Sequence, residues 1–224
     1  MSLHSPIESG DLQLAATRQQ LVAAAGEVFA EVGFRNATVR EICRRAGANI
    51  AAVNYHFGDK ERLYTEVLHY AHEMAMKKHP LLPDLGPDTP AEKRLRAFIH
   101  SLLSRIFDEG SGAWHGKLMA REMIEPTAAL DALVEERIRP MSQALWKVIA
   151  EILDRPVTDE QVRLCGFSVV SQCLFYKHCH PVVCRLFPEH VQLDASGVNR
   201  LTDHITQFSM TAMKHLPANK KKAL

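Results

Sequence analysis

The side chains of this sequence that are equipped for chemistry fall into two groups. The first is His178, Cys179 and His180, with Cys184 just beyond and Cys173 just before, where imidazole and thiol offer the soft ligands that zinc or copper take, or a redox-active sulfur. The spacing matches no zinc pattern, and residues at i and i+2 lie on different faces of a helix, so neither a metal site nor a redox sensor is the expected use. There is no glycine-rich phosphate loop, no His-Glu-x-x-His, no Gly-x-Ser-x-Gly and no carboxylate pair singled out by spacing; an enzyme is not expected, nor a resident cofactor. The second group lies around Ile50-Ala51-Ala52-Val53-Asn54, where the Asn54 amide can pair with an adenine edge and Ile50 or Ala51 can meet a thymine methyl, were this segment to enter a major groove.

These residues need elements to hold them. Leu21, Val22, Ala25, Val28, Phe29 and Val32 recur at helical spacing, so a helix is expected from a Thr17/Gln20 capping box to a stop at Gly33. Thr38 and Glu41 predict a second capping box and a short helix ending at Ala46, because Gly47 suits the positive φ of a sharp helix-to-helix turn. Asn49 caps a third short helix to about His56, and Asp59 opens a fourth that carries Leu63, Val67, Leu68 and Tyr70 toward His79. Thr89-Pro90-Ala91-Glu92 opens a helix to about Phe107, followed by helices at about 114–124, 127–153, 158–176 and 196–215, with Pro140 interrupting the longest. No stretch alternates in the manner of a strand, so the fold class expected is all-α. Two short helices joined by a glycine turn behind a longer one are the parts of a helix-turn-helix; spacing alone leaves DNA binding level with a helical protein-interaction module.

At 224 residues and 46% hydrophobic, the chain can bury a real core, and a net charge of +1 announces no nucleic-acid partner. Five cysteines without a Cys-x-x-Cys pair fit a reducing compartment, and no cationic leader or apolar run of membrane-spanning length is seen, so a cytoplasmic protein is expected.

The run Gly33-Phe34-Arg35-Asn36-Ala37-Thr38-Val39-Arg40-Glu41-Ile42, then Arg45-Ala46-Gly47-Ala48, then Val53 to Leu63 (VNYHFGDKERL) closely resembles the N-terminal signature of TetR regulators. Residues 171–176 and 180–188, with 49–55, are similar to the CecR (YbiH) subgroup of that family. Residues 1–16, which mix Ser, Pro, Gly and His without a sustained period, read as a flexible arm, and the resemblance implies a DNA-binding helix-turn-helix over 17–62 and a linking helix with a ligand-binding and dimerisation bundle over 63–216. The last residues, 217–224, would be a basic tail. It implies a homodimer on a palindromic operator, released by a small, largely apolar effector, with repression the expected sense and export or tolerance of toxic compounds the implied setting. Thr38, Tyr55, His56 and Lys60 would hold phosphates, with Asn54, Ile50 and Ala51 facing bases and Asn49 and Arg44 at the edge. Residues 17–60 carry six basic and four acidic side chains, so hydroxyls and helix N-termini would have to share the phosphate contacts.

Pocket candidates in the C-terminal half are Trp114, Met119, Met123, Phe167, Phe175 and Tyr176, with Glu122, Gln172 and His178 as polar anchors. An apolar stripe of Val198, Leu201, Ile205, Phe208 and Ala212 on the last helix would pack with the 158–176 helix across a two-fold axis.

Overall fold

The computed structural model describes residues 6–80, 85–86, 88–108, 114–187 and 194–217, with side chains from Leu12 onward, and among them there is no strand. The helices are α1 (Pro6–Asn36), α2 (Val39–Ala46), α3 (Ile50–Phe57), α4 (Lys60–Lys78), α5 (Ala91–Ile106), α6 (Trp114–Ile124), α7 (Ala129–Leu133), α8 (Arg139–Leu153), α9 (Glu160–His178), α10 (His180–Leu186) and α11 (Ala195–Lys214). They form two compact units, one of residues 1–77 and 109–138, the other of residues 78–108 and 139–224.

In the first unit α1 begins at Pro6 rather than at the expected Thr17. The intervening Leu12, Gln13, Leu14, Ala15 and Ala16 are strong helix formers with nothing to break them, and Thr17 donates its hydroxyl back to the Gln13 carbonyl (2.9 Å) instead of capping. Residues 1–5 of the expected arm, and all but Pro217 of the expected tail, lie outside the described residues. Gly33 does break α1, at φ 77° and ψ 166°. Its hydrogen faces the Arg121 guanidinium, which stands 2.3 Å from where a Cβ would be, so only glycine fits the bend. Leu21, Ala25, Val28 and Phe29 of α1 share a core with Ile42, Val53, Phe57, Leu63, Tyr64, Val67 and Leu68 from α2 to α4, and with Leu118 of α6.

One polar group sits inside this apolar body. Glu122 of α6 is fully buried; it accepts from the Tyr64 hydroxyl (2.6 Å), the Thr127 backbone N–H (2.8 Å) and the Thr127 hydroxyl (3.0 Å). The Tyr64 ring lies edge-on to Phe29 (centroids 4.8 Å) and against Phe34 (4.9 Å), and burial, then the bond to Glu122, pushes its phenol well above the usual range.

The long helix expected at 127–153 is interrupted. Residues 134–138 form a π turn immediately before Pro140, which lacks an N–H and whose ring would clash with the carbonyl four residues back; widening the preceding turn relieves both. In the second unit α5 buries Leu95, Phe98, Ile99 and Leu103 against α8, α9 and α11. Asp159 and Asp194 cap α9 and α11 through their carboxylates, while α5 starts behind Pro90 with no side-chain cap from Thr89. The stripe expected on α11 divides: Val198 and Ile205 are in the core, whereas Phe208 and Ala212 are exposed. The short α10 follows α9 where no helix was expected; Pro181 in its first turn starts it.

Glu122→Ala would strip a partner from Tyr64 and from a backbone N–H in a dry core, and is expected to lower the unfolding free energy by about 2–4 kcal/mol. Urea titration followed by circular dichroism measures this; a loss below about 0.5 kcal/mol would show that the node contributes little to holding α6 on α4.

Candidate nucleic-acid interface

The two short helices are set by their caps. Thr38 Oγ1 accepts from the Glu41 N–H (3.2 Å), Gly47 ends α2 in the left-handed region (φ 63°, ψ 27°), and Asn49 Oδ1 accepts from the Ala51 N–H (3.0 Å) to start α3. Asp59 then accepts from the Arg62 N–H (2.7 Å) to begin α4. With Val53 and Phe57 fixed in the core, helical geometry leaves Ile50, Ala51, Asn54 and Tyr55 together on the outer face of α3, and all four are exposed. Tyr55 is 72% exposed, the most open of the large apolar side chains in α2 and α3, and its ring meets His56 edge-on (centroids 5.0 Å). Thr38, Arg44 and Asn49 are also exposed, and His56 is half-buried.

The cations behave differently from the sequence expectation. Glu41 does not complete a capping box; its carboxylate accepts from Arg44 (2.8 and 2.8 Å) and Arg45 (2.8 Å), because guanidiniums one turn on outcompete a neutral N–H. Arg44 first and Arg45 second hold the Glu41 carboxyl down to about 2. Arg45 also grips Glu31 (2.7 and 2.9 Å), and Arg18 pairs with Glu66 (2.6 Å). Lys60 donates to the carbonyls of Phe34 (3.0 Å) and Ala37 (3.1 Å) and stands 4.5 Å from the centre of the Phe34 ring. Among the described residues this leaves Arg35 and Arg40 as the cations of the segment 17–60 without a hydrogen-bond or ion-pair partner in the fold; neither stood among the candidate contacts, since sequence gives no sign of which cations are already spoken for.

The pocket candidates are divided between the units. In the first, the Trp114 indole lies on Gly26, 2.4 Å from a would-be Cβ, and Trp114 and Met119 pack on the helix-turn-helix core; Glu122 is committed to Tyr64 and Thr127, and Met123 is exposed. In the second, Phe167, Phe175 and His178 are exposed, Tyr176 is half-buried, and Gln172 donates to Ser209 on α11 (3.2 Å). None of the nine lines either of two clefts of about 450 and 310 Å³, the first between Val32–Asn36 and Ile124–Pro126, the second beside Lys78, Arg96 and His100. Cys173 is fully buried, and burial pushes its thiol up to about 12, which opposes a redox role. His180 and Cys184 approach each other (3.4 Å), but among the described residues no group of three or more His, Cys, Asp or Glu side chains is placed to hold a metal ion.

Residues 21–67 match the model of the tetR family of bacterial regulatory proteins, and residues 91–213 match the C-terminal domain of the HTH-type transcriptional dual regulator CecR. The chain belongs to the TetR family, in its CecR-like branch. Such regulators bind DNA and are not enzymes. The chain is 29% identical to the dual regulator CecR of Shigella flexneri, over 71% of this chain and 75% of that one. It is also 29% identical to the regulator SrpR of Pseudomonas putida, over 65% and 63%. Among solved structures, a putative transcriptional regulator from Pseudomonas aeruginosa PAO1 superposes with a TM-score of 0.65 at 20% identity, covering 89% of this chain and 93% of that one. One from Rhodococcus sp. RHA1 gives 0.63 at 19%, covering 89% and 99%. No helix among the described residues is long and apolar enough to cross a membrane.

In this TetR-type head Lys60 ties down the turn between α1 and α2. Lys60→Met is therefore expected to cost about 1–3 kcal/mol of stability in urea unfolding, the range of charge-assisted hydrogen bonds. A variant of wild-type stability with weakened DNA binding would instead make Lys60 a phosphate contact alone.

Proposed function

We propose that this TetR-family chain acts as a homodimeric repressor that lays α3 of each protomer in the major groove of a palindromic operator and leaves it when a small effector binds the C-terminal helices. The observation that carries the reading is the outer face of α3, where Ile50, Ala51, Asn54 and Tyr55 stand free of the core behind a helix-to-helix turn, on a helix without a carboxylate. Asn54 is the base reader, bidentate to adenine; Ile50 and Ala51 meet thymine methyls. Thr38, Tyr55 and His56 hold phosphates, Asn49 and Arg44 lie at the margin, and Lys60 acts mainly by positioning the turn beneath them.

Dimerisation is supported by an exposed face without charges. On α9 it comprises Leu164, Phe167, Ser168, Ser171 and Phe175; on α11, His204, Phe208, Thr211 and Ala212. The two helices touch, and Gln172 bonds Ser209 between them. Two such helix pairs brought face to face would bury their aromatic rings, as four-helix dimer interfaces do. The exposure of Phe167 and Phe175 favours this use over a place in a pocket. The setting we assign, export or tolerance of toxic compounds, rests on the CecR-like resemblance.

Selection of genomic fragments by the purified protein, with winners titrated at two salt concentrations, tests the operator. A palindrome bound in the nanomolar range is expected, and Asn54→Ala should cost about 1–3 kcal/mol there, roughly 5- to 150-fold, while non-specific binding is unchanged. Unselective fragment recovery would count against the reading.

Phe208→Glu places charges on the proposed two-fold face and is expected to shift the protein from dimer to monomer in light scattering with its helicity intact. A dimer that survives both Phe208→Glu and Phe167→Glu would move the interface elsewhere.

A further inference from the structure

Arg105, near the end of α5, has an unusual environment for a guanidinium. Its Nε is sealed from solvent with no hydrogen-bond partner, and its one contact through a terminal nitrogen is with the Met141 thioether of α8 (3.7 Å). Three other arginines of the same unit are paired with carboxylates, Arg94 with Glu151, Arg96 with Asp203 and Arg155 with Asp159, and Arg163, Arg185 and Arg200 donate to a carbonyl or hydroxyl on their own helix or its edge. The carboxylate next along the chain, Asp108, is engaged by Lys78 (2.6 Å) and faces His79 (3.6 Å). Arg137 of the first unit also has a sealed Nε, but Glu73 lies within its field; among the described residues no charged neighbour acts on Arg105, and desolvation draws its pKa down to about 10.

A guanidinium taken out of water without a counter-charge is costly, and none is placed beside Arg105 among the described residues. Leu102, one turn earlier on α5, is half-buried, and the Met141 thioether lies beside the guanidinium. We infer that Arg105 anchors the effector, and that the effector is an amphipathic carboxylate whose headgroup takes the guanidinium fork while its apolar body lies along Leu102 and Met141. A planar carboxylate matches two parallel N–H donors of arginine, which a point-charge lysine does not reproduce. Arg105 drew no notice in the sequence because a single arginine on an amphipathic helix reads as a solvated charge. The inference rests on the effector-responsive reading above and gives it a ligand class.

The test is thermal unfolding of the full chain with straight-chain carboxylates from acetate to dodecanoate, each beside the alcohol of equal length. Carboxylates of intermediate length are expected to raise the midpoint by about 2–4 °C in a concentration-dependent way, with no effect of the alcohols. Arg105→Met, which keeps the volume and removes the charge, should abolish the shift while leaving the ligand-free midpoint equal to or above wild type. Arg105→Lys should retain only part of the response. No shift across the whole series, a shift matched by the alcohols or surviving in Arg105→Met, or a ligand-free Arg105→Met midpoint below wild type would each overturn the inference. Operator selection is read separately: a chain that selects a palindrome but ignores every carboxylate refutes the Arg105 assignment and leaves the regulator, and a chain that binds carboxylates but selects no operator does the reverse.

Discussion

The first unit depends on the need to satisfy one carboxylate in a dry core. Glu122 has no access to water, and a bare carboxylate there would cost more than a small domain can spare. The Tyr64 hydroxyl, the Thr127 hydroxyl and a backbone N–H together offset that cost, and in doing so they fix α6 on α4 at one register. Tyr64 belongs to the segment that matches the tetR family model and Glu122 to the segment that matches the CecR C-terminal domain. The DNA-binding helices are therefore not a free-standing three-helix module. The Tyr64–Glu122 bond ties α6, which packs mainly on α1, to α4 as well, and α4 begins at Lys60, whose ammonium holds the carbonyls just before α2. A mechanical path thus runs from α6 to the turn that aims α2 and α3, through groups with few alternative partners.

What could be read from the sequence follows the range of each interaction. Thr38, Gly47, Asn49 and Asp59 sit where expected because a cap is decided within three or four residues, and the exposed face of α3 follows once Val53 and Phe57 are assigned to the core. The interruption before Pro140 was legible for the same reason, although its form as a π turn was not. Choices among competing partners were hidden. Thr17 has the chemistry of a cap, but it lies inside a helix that starts earlier; Glu41 could have closed a capping box, but two arginines claim it. Glu122 looked like a polar anchor for a ligand because a glutamate on a helix carries no mark of the tyrosine 58 residues away that it will meet. The α11 stripe divides because period alone does not say how many neighbours a helix has: α11 packs on α5, α8 and α9, which leaves Val198 and Ile205 buried and Phe208 and Ala212 exposed.

The internal pairing of cations also bears on how such a regulator is controlled. Arg18, Arg44 and Arg45 are neutralised within the fold and Lys60 is drawn under it, so the electrostatic attraction of the head for phosphate is smaller than its six basic residues suggest. Counterion release scales with phosphates neutralised, and a head with few free cations has a shallow salt dependence and weak non-specific binding. Its selectivity then falls to a handful of base contacts and to DNA shape. That division suits a switch. Driving a two-state equilibrium from 99:1 to 1:99 requires about 5.5 kcal/mol of differential binding, which the proposed effector would have to supply in full. In the proposed dimer, affinity that rests on a few geometrically exacting contacts would fall steeply with a modest change in the spacing of the two α3 helices, whereas affinity spread over many tolerant phosphate contacts would not.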